Sequence, residues 1–261
     1  MGVLMDDPDL ISCAELVQRG DPDRFRVAMA APVAARSVLF PIYAANVEIS
    51  RAPWVTQEHL IAEMRLQWWK DALEEIAQKG VVRRHEVVTP LALVLDTKGA
   101  ELLTEAAEVR CWDIYREPFE DAAHFERYIR ATAGNLMLAA ARALGPVEDS
   151  VVMDLGYAAG LANFLMAVPA LEKAKRIPLL DGRPDAVASL AEDGLDRLKR
   201  ARRSRSGISA EARPSLMAAW RAEGVLKRAA SDPRRVAEGR LATSEFAGQL
   251  GLMLRALTGR W

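Results

Sequence analysis

Met64–Leu73 reads MRLQWWKDAL, and the way the rest of the chain is built follows from it. The decuplet sits inside a longer pattern from Thr56 to Gly80. Leu60, Ile61, Met64, Trp68, Trp69, Ala72, Leu73 and Ile76 recur there at spacings of three and four, which is one face of a helix. Thr56 is placed to cap its start, Glu58 suits the positive end of its dipole, and Gly80 supplies a stop. Neighbouring residues cannot share a helix face. One of Trp68 and Trp69 is therefore expected in the core and the other at a cavity or the surface, with core packing the plainer reading for both.

The same period continues on either side. Asp121–Leu144 carries Phe125, Tyr128, Ile129, Thr132, Leu136, Ala140 and Ala143 on one face, and Gly145-Pro146 ends it because proline brings no amide hydrogen. A third helix is expected over Glu148–Val168. A last one is expected from near Ser244, with Phe246, Leu250, Met253, Leu254 and Leu257. Val27–Ser50 is alanine-rich and interrupted by Pro32 and Pro41, so two helices or one kinked helix are expected. Val81-Val82 and Val87-Val88 are too short to build a sheet. The expectation is one all-α domain over residues 1–261, with C-terminal helices across 185–261.

Composition excludes several functions. Lys plus Arg is 35 and Asp plus Glu is 36, a net charge of -1, so nothing calls for nucleic acid as a partner. Two cysteines, Cys13 and Cys111, and three histidines give no metal-ligand spacing, and a reducing, cytoplasmic setting is expected. MGVLMDDPDL has no basic stretch of the secretory kind, and Asp6 stands where a myristoylation signal has Ser or Thr. Leu155–Leu171 is an uncharged run of 17 residues. It reads as a buried core helix, with peripheral membrane contact left open.

Tyr43-Ala44 stands 21 residues before Met64. This Tyr-Ala element followed by Arg65-Leu66-Gln67-Trp68-Trp69 resembles the squalene/phytoene synthase family. Tyr128–Gly134 with Leu136–Leu138 resembles its central helix, and Gly156–Leu180 resembles the segment holding its second aspartate motif. These elements lie within residues 35–180. The resemblance implies an isoprenoid-synthase-type helical bundle around a central apolar cavity. It also implies two aspartate motifs that hold Mg2+ and the diphosphates of prenyl donors. Asp-x-x-x-Asp puts two hard oxygen donors one helical turn apart, which is what magnesium diphosphate needs.

At the matching positions this chain carries other residues. Ser50, Arg51 and Trp54 stand seven, eight and eleven residues after Tyr43, and Ala167 and Leu171 stand four and eight after Asn163. Pro53 marks the end of the first helix, and Pro169 is expected to break the register of the second. Met166 occupies the adjacent arginine position. The family's Gly-Arg loop survives in part as Lys175-Arg176, before Ile177-Pro178-Leu179. No metal and no cofactor is expected, or Mg2+ if the chain is instead an active prenyl transferase acting on farnesyl or geranylgeranyl diphosphate. Glu101, Glu105 and Glu108 read as a solvated helix face, and Asp181 and Asp185 flank a turn.

Tyr43, Asn46, Glu48, Arg65, Trp68, Asn163, Lys175 and Arg176 are the candidate cavity or ligand residues, with Glu48 expected to pair with Arg65. Arg197–Arg205, RLKRARRSR, places six basic residues in nine: Arg197, Lys199, Arg200, Arg202, Arg203 and Arg205. Such a run reads as a solvated face or as a contact for anionic lipid headgroups. Within the family, Asn46-Val47-Glu48 and Met64–Lys70 look closest to the branch containing the mitochondrial complex I assembly factor, which also lacks the aspartates. That resemblance implies a binding or assembly role at the membrane. The expected partner is an isoprenoid-like lipid or a membrane-protein client, at the inner face of the membrane.

Overall fold

The computed structural model describes residues 7–242, 245–258 and 261. It is helical throughout: α1 Pro8–Gly20, α2 Pro22–Ala30, α3 Val33–Arg51, α4 His59–Ala77, α5 Val88–Ala92, α6 Thr97–Val109, α7 Ala122–Ile129 and α8 Asn135–Leu144. Then come α9 Asp149–Lys173, α10 Pro184–Arg203, α11 Arg213–Leu216, α12 Ala222–Ser231, α13 Arg234–Ala237 and α14 Glu245–Thr258. Among the described residues there is no strand, only an isolated bridge between Val147 and Ile208.

Short polar side chains fix many of the starts. Asp7, Asp21, Asp96 and Asp121 each accept a hydrogen bond from an amide of the first turn they precede, at 2.7–3.0 Å, satisfying donors that a helix leaves unpaired. The start of α4 differs from the sequence expectation. It begins at His59, and Thr56 instead turns the preceding chain by accepting from the Glu58 amide at 3.1 Å. At its other end Lys79, not Gly80, takes the left-handed conformation (φ 54°). The Gly80 amide reaches back to the Glu75 carbonyl at 3.3 Å, closing the last turn.

Proline acts unevenly. Pro32 separates α2 from α3, whereas Pro41 lies inside α3 and Pro169 inside α9. Each interior ring withdraws one N–H from its ladder, yet both helices continue, α9 as far as Lys173. The expected break at Pro169 does not occur, because Phe164, Leu165 and Val168 before it are held in the core. The single helix expected over Asp121–Leu144 is a continuous rod with one loosened π turn at Arg130–Gly134 between α7 and α8. Ser244, the expected start of the last helix, and the side chains of Phe246, Leu250 and Leu257 lie outside the described residues.

α9 is the central strut. It packs against α8, the π turn, α10 and α12, while α4 packs on α6, α6 on α8, and α1 on α3. Its apolar stretch, of mean hydropathy 1.6, is long enough to cross a membrane, and 72% of it is buried inside the protein. A helix apolar on all sides needs such a covering. Gly156 and Gly160 let it lie directly on the π turn. A Cβ at Gly156 would fall 2.7 Å from the Gly134 Cα, and one at Gly160 would fall 2.4 Å from the Ala133 Cβ.

Gly156→Ala is expected to cost about 1–3 kcal/mol, since the obstructing atom is backbone rather than a movable side chain. Gly182, with open space around it, serves as the control, and Gly182→Ala should change stability by less than about 0.5 kcal/mol. Urea unfolding of both variants checks this; equal midpoints would mean that α9 and the π turn do not meet this closely.

Candidate functional site

Glu48 and Arg51 of the last turn of α3, with Ala52 and Val55 of the turn that follows it, line one side at spacings of three and four. There they meet Arg65, Trp68 and Trp69 of α4 and His85 of the following loop, around an open pocket of about 270 Å³. Glu48 pairs with Arg51 at 3.1 Å, not with Arg65 as the sequence led one to expect. The two are one turn apart on the same helix, so their pairing needs no tertiary alignment. Arg65 is exposed and has no ion-pair or hydrogen-bond partner among the described residues. Of the tryptophan pair, Trp69 is buried and Trp68 half-buried, and both line the pocket. His85 packs on both rings, 5.0 and 5.8 Å away, and its Nδ1 accepts from the Val87 amide at 3.1 Å. Arg83 lies 4.9 Å over the Trp68 ring and is tied to Glu75 at 2.6 Å. Its hydrogen bonds hold the Glu75 carboxyl below the usual carboxylate range.

A second depression, of about 300 Å³, lies under Trp54, with His59, Ile114, Arg116 and Arg176 among its walls. Lys175 adopts a left-handed conformation (φ 61°) just after α9 and is itself exposed. That turn sends Arg176 inward, where it is only 8% exposed. Its guanidinium donates to the carbonyls of Trp112, Asp113 and Tyr115. It also lies 4.6 Å from the Trp54 ring and 5.5 Å from the Trp112 ring, a cation between two aromatic faces. Burial pushes its pKa below the usual arginine value, and Asp113 opposes the shift. Asp113 is buried as well, and accepts from the Tyr128 hydroxyl (2.9 Å) and from Arg110 (3.0 Å). Burial, with Asp113 beside it, pushes the Tyr128 hydroxyl well above the ordinary tyrosine range. Trp112 stacks on Phe119 at 4.1 Å, and Phe125, Tyr128 and Phe164 complete a ring cluster between α7 and α9. Nothing in the sequence pattern singled out Asp113, His85 or Arg116; they lie in loops or a short 3-10 turn, where no period exists to read.

The residues at the motif positions take ordinary structural roles. Ser50 donates back to the Val47 carbonyl at 3.0 Å, Arg51 is held by Glu48, and Trp54 covers Arg176. Ala167 and Leu171 are half-buried on α9. Among the described residues no group of three or more His, Cys, Asp or Glu side chains is placed to hold a metal ion. Tyr43 is buried with its hydroxyl unpartnered, Asn46 is half-buried and Asn163 is exposed; none of them lines either depression.

The basic run is largely neutralised within the protein. Arg197 lies 3.9 Å over Tyr157 and pairs with Glu126 and Asp193 at 3.0 Å. Lys199 pairs with Asp196, Arg200 with Asp154 and Arg202 with Glu223. Arg205 donates to the Trp261 carbonyl, while Arg203 is exposed. These pairs tie α10 to α7, α9 and α12.

An all-α bundle with a Tyr-Ala element on α3 and the long apolar helix α9 through its core defines a class, and known proteins match it. The family model for squalene/phytoene synthase matches residues 17–179, and the chain belongs to that family. It is 28% identical over 178 residues to the NADH dehydrogenase (ubiquinone) complex I assembly factor 6 homolog of Drosophila melanogaster, covering 64% of this chain and 53% of the fly protein. To assembly factor 6 of Homo sapiens it is 25% identical over 166 residues, 60% of this chain and 48% of that protein. The chain spans about half the length of the curated relatives it matches. Among solved structures, a dehydrosqualene synthase in complex with ligand superposes with a TM-score of 0.73 at 15% identity, covering 96% of this chain and 95% of that one. A squalene synthase from Alicyclobacillus acidocaldarius superposes at 0.64 with 14% identity, covering 96% and 94%. At such identity the likeness is one of fold.

Two outcomes follow from this geometry. Arg176→Ala removes three charge-assisted bonds and uncovers two tryptophans, and is expected to cost about 2–4 kcal/mol; Arg176→Lys should not restore it, because a point charge cannot fork to three carbonyls. Denaturant midpoints read both. The Glu223 carboxyl is held down at about 2 by hydrogen bonds from Lys227 and then Arg202. A depressed carboxylate contributes stability above its unfolded pKa and loses it as pH falls toward the folded one. The stability gap between wild type and Glu223→Gln should therefore be full near neutrality and close between about pH 4.5 and 2; a gap independent of pH would show that the ion pairs contribute nothing.

Proposed function

We propose that this chain is a non-catalytic member of its family, acting by binding in the assembly of a respiratory NADH dehydrogenase complex at the membrane. One observation carries the reading. The helix faces that would present carboxylates to magnesium diphosphate present Ser50, Arg51 and Trp54 on α3 and its extension, and Ala167 and Leu171 on α9. Arg51 sets a positive charge where a cation would have to sit, and its partner Glu48 is spent on it. A departing diphosphate needs developing charge to be met by fixed cations, usually the largest catalytic contribution. The set of residues here offers magnesium no such pair of hard donors.

Two further features support a role in contact rather than chemistry. The curated relatives carry the name of a complex I assembly factor. The α3–α4 corner also exposes Trp54, Val55, Leu60, Ile61 and Met64, each at least 44% accessible, and neighbouring exposed apolar side chains of this kind mark contact surfaces.

Purified protein incubated with farnesyl or geranylgeranyl diphosphate and Mg2+ is expected to release no diphosphate above the enzyme-free rate. Deleting its gene is expected to lower the amount of assembled NADH dehydrogenase in native gels, with recovery on re-expression. Turnover abolished by a chelator would replace this reading with an active prenyl transferase; unchanged complex levels would remove the assembly role.

A further inference from the structure

The pocket between the end of α3 and α4 gathers hydrogen-bond donors around a single acceptor. Arg65 carries a full fork of N–H donors and no partner among the described residues. Arg51 gives one nitrogen, Nη1, to Glu48 at 3.1 Å and keeps the others. His85 accepts the Val87 amide on Nδ1, so its ring hydrogen sits on Nε2. Glu48 is the one acid of the lining and is already matched by Arg51. Two guanidiniums against one carboxylate leave the pocket positive.

Its aromatic wall is set in advance. Trp68 is braced edge-on by Trp69 at 5.1 Å and covered by Arg83, which Glu75 holds. The margin is apolar: Val55 lines the pocket and is 45% exposed, and Ile61, also 45% exposed, stands one turn before Arg65 on α4. Glu48, Arg51, Ala52 and Val55 follow one helix face, whereas Trp54 lines the other depression beside Arg176. Of the three first-motif positions, Arg51 lines this pocket, whereas Ser50 does not and Trp54 lines the other depression.

From this arrangement we infer that the pocket is a metal-independent anion site that takes the phosphate group of a phosphate monoester, with the organic part against Trp68 and Val55. One guanidinium would satisfy a carboxylate; two guanidiniums and an imidazole N–H on separate elements suit the three terminal oxygens of a phosphate. About 270 Å³ is at the small end for a ligand pocket. It admits a phosphate with a short organic part and leaves any long chain outside, over Val55 and Ile61. The ester is either a free metabolite or the headgroup of a lipid. The inference stands apart from the assembly role, because it concerns the purified chain alone.

Isothermal titration in the presence of a chelator tests it, with inorganic phosphate and with a soluble short-chain phosphatidic acid. Saturable binding of the phosphatidic acid is expected. Arg65→Gln should weaken it by about tenfold or more, the loss of one charge-assisted contact. Arg65→Lys should recover part of it, and Arg203→Gln, at an exposed arginine on α10, should leave it unchanged. Arg65 is exposed, so the variants should keep their fold, which thermal melts verify. No binding by wild type, or equal binding by Arg65→Gln, overturns the inference. Inorganic phosphate binding as tightly as the amphiphile assigns the site to free phosphate. Preference for the amphiphile, with Arg65-dependent sedimentation on phosphatidylcholine vesicles doped with phosphatidic acid, assigns it to a lipid headgroup.

Discussion

The contact of α9 with the π turn sets the distances on which the rest of the bundle depends. Gly156 meets the Gly134 backbone and Gly160 the Ala133 side chain so closely that neither has room for a Cβ. With α9 fixed there, α8 packs along one side of it and α10 and α12 along another. A side chain at either glycine would push the strut outward and open every layer at once, since close-packed interiors transmit a displacement rather than absorb it.

That placement also determines what the end of α9 does. The helix runs on through Pro169 and turns at Lys175, and Arg176 enters the protein. The guanidinium meets carbonyl oxygens and two indole faces. A charge of this kind can be buried because three carbonyls accept from it and its plane lies near two indole rings. Asp113, Arg110 and Tyr128 close the same neighbourhood from the other side. The result is a rigid plug of rings and matched charges between α7, α9 and the corner at Trp54.

Exposed chemistry is concentrated at the α3–α4 corner instead. Trp54, Val55, Leu60, Ile61 and Met64 remain accessible while Trp69 and Leu66, on the same helix, are buried. Arg65 stands unpaired among them, whereas most of the charges of the run on α10 are tied to acids of neighbouring helices. Local charge density along the chain and free charge at the surface are thus different quantities, and only the second can attract a partner.

The sequence by itself determined the all-helical class and some helix ends, such as the start after Asp121 and the stop at Gly145-Pro146, because a 3.6-residue period and Gly-Pro stops are local properties. Spacing from Tyr43 and Asn163 gave Ser50, Arg51, Trp54, Ala167 and Leu171 as the expected motif positions, and the adjacency of Trp68 and Trp69 put them on different faces without saying which is buried. Tertiary structure decided the pairings. Glu48 was expected to pair across to Arg65, but the local i,i+3 pair with Arg51 on the same helix took it instead, leaving Arg65 open. Asn163 fell on an exposed face of α9, while its neighbour Phe164 joined the ring cluster. Pro169 left α9 unbroken because the burial of Phe164, Leu165 and Val168 just before it outweighed one missing hydrogen bond. His85 and Asp113 became site residues only when distant segments met, and no period or motif along the chain encodes such a meeting.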